Sequence, residues 1–316
     1  MRLSNPEFAE LAAQPPPDDA IAWVGEIVGA GSNVISAKAI PGGTATAIHA
    51  IRVRDMTGGL VELVLKRYIR SDWIEREPDI VMKEARALEI ATSIDIRTPS
   101  LVAVDSHGRT CDVPAILMEQ LPGRVELNPP NREQWVARLA EPIALIHTLH
   151  TDLCRDVPSY EPYKDLGLLT PPKWSRDPGM WSRVFHLLQG QVPAEDEVFL
   201  HRDYHPTNVL WYRGEVSGVV DWTNASRGPA GIDVGHCRLN LVQLYGLNMA
   251  AKFLNEYCAA TGYQHHPYWD LLTAIECLPL DEVYPGWAEL GMRDLTIDVV
   301  RDRVESYVSA VLQRIW

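Results

Sequence analysis

The sequence predicts an α+β protein of two lobes, an antiparallel sheet carrying one helix followed by a larger, mainly helical half. Three observations lead to this. The chain has 316 residues, more than one minimal core organises, so two lobes are the natural expectation. Short runs of strand-forming residues separated by glycine turns crowd residues 1–119. From residue 120 to 316 the dominant apolar spacing is that of helices. The lobes are therefore set at 1–119 and 120–316, with a cleft expected between them.

The elements follow in order. Residues 5–13 form one or two helical turns, stopped by Pro15-Pro16-Pro17, and Asp18 or Asp19 then caps a helix to about Val28. Strands are predicted at Val34–Ile40, Ala47–Val53 and Leu60–Lys66, joined by Pro41-Gly42-Gly43 and Thr57-Gly58-Gly59 as a meander. Glu77 to Ser93 has helical spacing, and two more strands follow at Leu101–Asp105 and Ala115–Glu119. After the hinge-like Leu121-Pro122-Gly123, Asn131 caps a helix to about His150, which Pro142 should kink or divide. A loop rich in proline and aromatics spans about 155–180. Short strands are expected at Val198–Leu200, Val209–Tyr212 and Val216–Val220, and helices fill 231–316.

Composition narrows the function. With 46% hydrophobic and 22% charged residues, the chain is ordinary globular protein and not a disordered one. A net charge of −13 leaves no basic footprint, which argues against a nucleic-acid partner and favours a cationic small molecule. Five scattered cysteines with no Cys-x-x-Cys pair read as buried thiols of a reducing cytoplasm. No apolar run reaches membrane-spanning length and no leader is evident, so a cytoplasmic protein without a membrane partner is expected.

The chemistry lies in His201-Arg202-Asp203-Tyr204-His205-Pro206-Thr207-Asn208, of the form His-x-Asp-x-x-x-x-Asn between apolar strands. Thirteen residues beyond Asn208, Asp221 ends the strand Gly218-Val219-Val220. Phosphoryl transfer needs this set of groups. One carboxylate orients the attacking hydroxyl and takes its proton, while an amide oxygen and a second carboxylate hold Mg²⁺ against the phosphates. Upstream, Lys66 ends a strand and Glu84 sits on the next helix.

These residues resemble the aminoglycoside-phosphotransferase and choline-kinase-like family, relatives of the protein kinases, from about Ile40 to Leu241. The resemblance implies a bilobal protein-kinase-like fold and a small-molecule kinase that moves the γ-phosphate of ATP or GTP to a hydroxyl. It implies Asp203 as catalytic base and Asn208 and Asp221 as Mg²⁺ ligands. Lys66, held by Glu84, would contact the α- and β-phosphates. Gly42, Gly43 and Thr44 lie where the nucleotide-covering loop belongs, and the backbone of Glu119 and Leu121, with Met118 behind it, where the adenine edge would bind. One departure is Arg202, where this family more often has glycine. The acceptor stays open among aminoglycosides, macrolides, choline-like amines, sugars and amino-alcohols, since its contacts would come from about 155–180 and 240–316.

Bland readings compete with some of these. A strand-end lysine is usually a solvated edge residue, a helix glutamate usually faces water, and two glycines make an ordinary hairpin. Gly29-Ala30-Gly31 lacks the third glycine and the helix of a dinucleotide turn. His147 and His150 lack further ligands for a metal, His205 reads as a loop histidine bonded to backbone, and Asp233 as a structural brace for the catalytic loop. The rival function is a nucleotide-binding regulatory module without transfer activity, and a third is transfer of a nucleotide instead of a phosphate.

Overall fold

The computed structural model describes residues 5–40 and 45–315. Its contacts divide the chain into two units. The first runs through Thr92 and adds Thr98–Pro122; the second takes Ser93–Arg97 and Gly123 onward.

In the first unit, helices α1 (Asn5–Ala13) and α2 (Asp18–Val28) precede strands β1 (Asn33–Ala39), β2 (Ala47–Arg54) and β3 (Leu60–Arg67). Helices α3 (Ser71–Arg76) and α4 (Ile80–Ala91) and strands β4 (Leu101–Asp105) and β5 (Ala115–Glu119) complete it. The sheet runs β1-β2-β3-β5-β4 with every neighbour antiparallel, so β3, which carries Lys66, is its centre. Alternation explains the pairing: Ala47, His49, Ile51 and Val53 of β2 are all buried, on one face of the strand. The β2–β3 turn closes on Asp55, whose Oδ1 accepts from the Thr57 N–H at 2.8 Å, the Thr57 hydroxyl at 2.7 Å and the Gly59 N–H at 2.8 Å. Trp23 and Val24 of α2 join Ile51, Val53, Leu65 and Leu117 in one core. Each such aliphatic side chain stabilises by roughly 1.5–3 kcal/mol.

The second unit opens on α5 (Arg132–Ile146), started by Asn131, whose side chain accepts from the Gln134 N–H. Helix α6 (Pro178–Leu188) and strands β6 (Glu197–Leu200), β7 (Val209–Tyr212), β8 (Glu215–Val219) and β9 (Ser226–Pro229) follow. These strands pair as two ribbons, β6 with β9 and β7 with β8. Helices α7 (Gly231–Tyr245), α8 (Leu247–Thr261), α9 (Pro267–Glu276), α10 (Pro285–Glu289) and α11 (Ile297–Leu312) make the remainder. Helix α7 is buried almost all round, packed on α8, α9 and α11. Its close approach to α9 needs Gly235, where a Cβ would stand 2.8 Å from the Trp269 carbonyl oxygen.

Several expectations change. Pro142 neither divides nor ends α5, which continues to Ile146 as one helix. An internal proline costs about 3 kcal/mol. The stripe of Trp135, Val136, Leu139, Ala140, Ile143 and Ile146, buried on both sides of it, offsets that cost. The cap of α2 is Pro17 with no side-chain bond, and Asp18 and Asp19 lie in the first turn, where carboxylates meet the helix dipole. Strand β9 was not expected, because Ser-Arg-Gly-Pro has no strand propensity and is held by its pairing with β6. Three cysteines are buried, but Cys258 and Cys277 are half-buried; all five are free. No helix among the described residues is long and apolar enough to cross a membrane.

Candidate active site

In the first unit Lys66 and Glu84 form a closed pair. Lys66 Nζ lies 2.9 Å from Glu84 Oε1 and 2.8 Å from Oε2, and the residues are 4% and 1% exposed. Glu84 faces inward because it shares the apolar face of α4 with Ile80, Val81 and Leu88. Tyr68, two residues after Lys66 and so on the same side of the chain, donates its hydroxyl to Glu84 Oε2. The Tyr68 ring also lies 5.7 Å from the Lys66 ammonium. Neither bland reading holds: the lysine is on a central strand and the glutamate is out of water. Tyr68 was missed, and strand alternation from Lys66 was the signal for it.

In the second unit the 201–208 loop is fixed from beneath by Asp233. Its Oδ2 accepts from the His201 N–H at 2.8 Å and its Oδ1 from the Arg202 N–H at 2.7 Å. The His147 ring, 3.2 Å from Oδ2, supports it and is itself bonded to the Tyr257 hydroxyl at 2.6 Å. Burial works against the charge on Asp233, but the His147 bond and the backbone donors prevail and hold its carboxyl below the usual range. The brace therefore stays ionised at neutral pH. His201 Nε2 bonds the Val220 carbonyl oxygen at 3.0 Å, and the Val220 N–H donates to the Asn208 carbonyl at 2.9 Å. These bonds tie the loop to β8 and set Asn208 beside the residue before Asp221.

Asp203 projects from this frame with its side chain 29% exposed. The Asn208 amide nitrogen donates to the Asp203 carbonyl at 2.9 Å and to its Oδ2 at 3.2 Å. On the other oxygen, Oδ1, His236 Nε2 stands at 3.1 Å and His205 Nε2 at 3.6 Å. Burial opposes the Asp203 charge, yet the two imidazoles outweigh it and keep the carboxyl well below its ordinary value. Tyr284 faces the same place. Its phenol is pushed up to about 12 by burial, then by the charges of Asp203 and Asp221. His205, read as a backbone-bonded histidine, thus belongs to the Asp203 cluster. His236 and Tyr284 gave no sign beyond position: His236 lies one turn beyond Asp233 on α7, on the same side of the helix.

Asp221 follows β8 with φ of 67° and accepts from the Thr223 hydroxyl at 2.8 Å. Arg202 has φ of 69°. Such left-handed backbone costs a side-chain-bearing residue about 1–2 kcal/mol, and Arg202 directly precedes Asp203 in the chain.

Of the remaining site expectations, Gly42, Gly43 and Thr44 lie outside the described residues. Met118 is buried in β5 opposite Val64, and Leu121 is buried just beyond the strand. The Glu119 N–H donates to the Ser100 carbonyl at 2.9 Å, so any backbone bond from Glu119 to a base has to come from its carbonyl.

The family described as the phosphotransferase enzyme family matches residues 37–272 of the chain. The chain belongs to that family and is an enzyme, a phosphotransferase with an alcohol group as acceptor. Several solved structures share its fold. One, from Ralstonia eutropha JMP134 and named a candidate aminoglycoside phosphotransferase, is 15% identical, with a TM-score of 0.61 over 95% of this chain and 99% of its own. The GDP complex of aminoglycoside 2'-phosphotransferase-IIIa is 13% identical, with a TM-score of 0.61, covering 90% of this chain and 94% of its own. A ternary complex of a thermostable mutant of aminoglycoside phosphotransferase APH(4)-Ia with ADP and hygromycin B is 14% identical, with a TM-score of 0.55, covering 88% and 95%. Comparison with curated proteins gives no match.

Proposed function

We propose that this small-molecule kinase transfers the γ-phosphate of Mg²⁺-bound ATP or GTP to a hydroxyl of an aminoglycoside-like, cationic acceptor. The observation that carries the reading is Asp203: a half-exposed carboxylate kept ionised, one oxygen held by Asn208 and the other facing two imidazoles. Its low proton affinity makes Asp203 an orienting group that accepts the hydroxyl's hydrogen bond first and its proton late. That suits a loose transition state, in which the nucleophile is little deprotonated as the bond to the leaving oxygen stretches.

The residues fit a magnesium ion. Asn208 spends its amide nitrogen on Asp203, which leaves its amide oxygen as the atom to offer a metal, and Asp221 adds a carboxylate. Hard oxygen donors of this kind suit Mg²⁺. Bound there, the ion would neutralise phosphate charge. In this reading Lys66, oriented by Glu84 and Tyr68, steadies the α- and β-phosphates. Residues 1–119 serve as the nucleotide lobe, with Gly42, Gly43, Thr44, Met118, Glu119 and Leu121 around the nucleotide, and residues 120–316 as the catalytic and acceptor lobe. The GDP and ADP complexes of the fold relatives support a purine donor, and the hygromycin B complex supports a polyhydroxylated amine as acceptor. The net charge of −13 suits such a cation, and free cysteines suit a reducing cytoplasm. The rival, a regulatory module without transfer, is disfavoured because the pair Lys66–Glu84 and the trio Asp203, Asn208 and Asp221 are all intact.

The test is magnesium-dependent consumption of ATP and of GTP against hygromycin B and a panel of aminoglycosides, macrolides, sugars and amino-alcohols, with product mass recorded. An acceptor heavier by one phosphate is expected. An acceptor heavier by a nucleotide, or Mg-nucleotide binding without product across the panel, contradicts the proposal.

A further inference from the structure

The side chain of Arg202 is 3% exposed, although it follows a left-handed backbone position that glycine would take without strain. Its Nη2 donates to both oxygens of Glu276, at 3.0 and 3.2 Å, at the end of α9. The guanidinium carbon lies 4.6 Å from the centre of the Tyr160 ring and 4.0 Å from that of Tyr163, so two rings cover the cation. Glu276 also accepts from the Tyr163 backbone N–H at 2.9 Å and from the Tyr160 hydroxyl at 3.4 Å. Nη1 is buried with no hydrogen-bond partner among the described residues, so hydrogen bonding alone does not account for the burial of this cation. Its hydrogen bonds and ring contacts among the described residues reach α9 and the segment around 160–163. The chain neighbour of Arg202 is Asp203.

Tyr163 has a second role. It lines a cavity of about 820 Å³ together with Leu168, Trp174, Leu278 and Arg301, a size at which small molecules bind. Much of this wall is loop chain with few regular backbone bonds, and Tyr163 and Leu168 are exposed. The bonds through Glu276 and the rings over Arg202 fix it at one end. We infer that Arg202 is a positioning residue that sets acceptor specificity: it locks the 160–163 segment, and with it the cavity wall, to the loop that carries Asp203. The inference rests on the proposed reading that residues 155–180 supply acceptor contacts. It adds the strut through which their placement reaches the reacting carboxylate.

Amide hydrogen exchange of the full chain tests the strut without any acceptor. In Arg202→Gly, which relieves the backbone strain and removes the cation, exchange across 159–168 should rise about tenfold or more while that of α8 and α11 stays unchanged. Arg202→Lys, which keeps the charge but not the planar guanidinium that lies against the two rings, should fall between. Should Arg202→Gly not fold, Tyr163→Leu takes one ring from the cation, leaves the Arg202–Glu276 pair, and should loosen the same amides. With the acceptor found in the panel, KM for acceptor should rise about tenfold in these variants while KM for nucleotide moves less than about threefold, and panel members refused by the wild type should gain product. Wild-type exchange across 159–168 in the folded variants, or equal losses in both KM values, overturns the inference. A wild type with no turnover on the panel counts against the proposed function, while the exchange result still decides the strut.

Discussion

Two charged sites of this molecule are built in opposite ways. Lys66 and Glu84 are sealed, at 4% and 1% exposure, with Tyr68 closing the group. Asp203 is open, its side chain 29% exposed, and owes its charge to His205 and His236. A buried pair is held by its own geometry, and loss of either partner strands a charge out of water. An open carboxylate can meet a substrate, and its loss leaves little stranded. The first site is therefore expected to couple function to folding and the second to separate them.

The largest effect that would break this contrast is at Asp203. Asp203→Ala should lower kcat about 10²–10⁴-fold while the melting temperature moves little, which turnover and thermal unfolding of the same sample would check. Next, Glu84→Ala strands Lys66 and should cost about 3–5 kcal/mol of stability in denaturant titration, along with nucleotide affinity. A small stability loss there would mean that the pair is less sealed than its geometry. Asp233→Asn is smaller: an amide in place of the carboxylate weakens the bonds from His201 and Arg202, an expected about 1–3 kcal/mol and a fall in kcat through the loop. Tyr68→Phe removes one hydroxyl from Glu84 and should cost about 1 kcal/mol.

Acid sharpens the same contrast gently. Asp270 is buried, yet the Arg238 charge and the His265 bond overcome burial and hold it at about 2. The buried brace Asp233 is lowered too. Carboxylates depressed in the fold contribute stability above their unfolded pKa, near about 4, and lose it as pH falls through the folded value. Stability should therefore hold down to about pH 4 and drop between about 4 and 2, as chemical denaturation at a series of pH values would show. A decline beginning near neutrality would point instead to His49 and His201, which burial holds below the usual imidazole range.

Much of this was legible in the sequence, and the reasons are specific. The strands Leu101–Asp105 and Ala115–Glu119 are short apolar runs between turns, and the structure has them at those limits. The order of the sheet was not legible, because β5 pairs with β3 across two helices and strand β4, a contact distant in sequence. Residues 201–208 were readable because side-chain types at fixed spacing share one loop. His236 and Tyr284 were not, since they come to Asp203 and its surroundings from helix α7 and from the residue just before α10, at no fixed spacing from the 201–208 loop. Pro142 misled because propensity is local, while the stripe that carries α5 through it is tertiary.

The most direct test of the account compares Asp203→Ala with Asp221→Ala by titration calorimetry, using ADP with and without magnesium, beside turnover on the same preparations. The account predicts that Asp203→Ala loses turnover and keeps magnesium-dependent nucleotide binding, while Asp221→Ala loses both. Near-normal turnover in Asp203→Ala, or unchanged magnesium-dependent binding in Asp221→Ala, would contradict it.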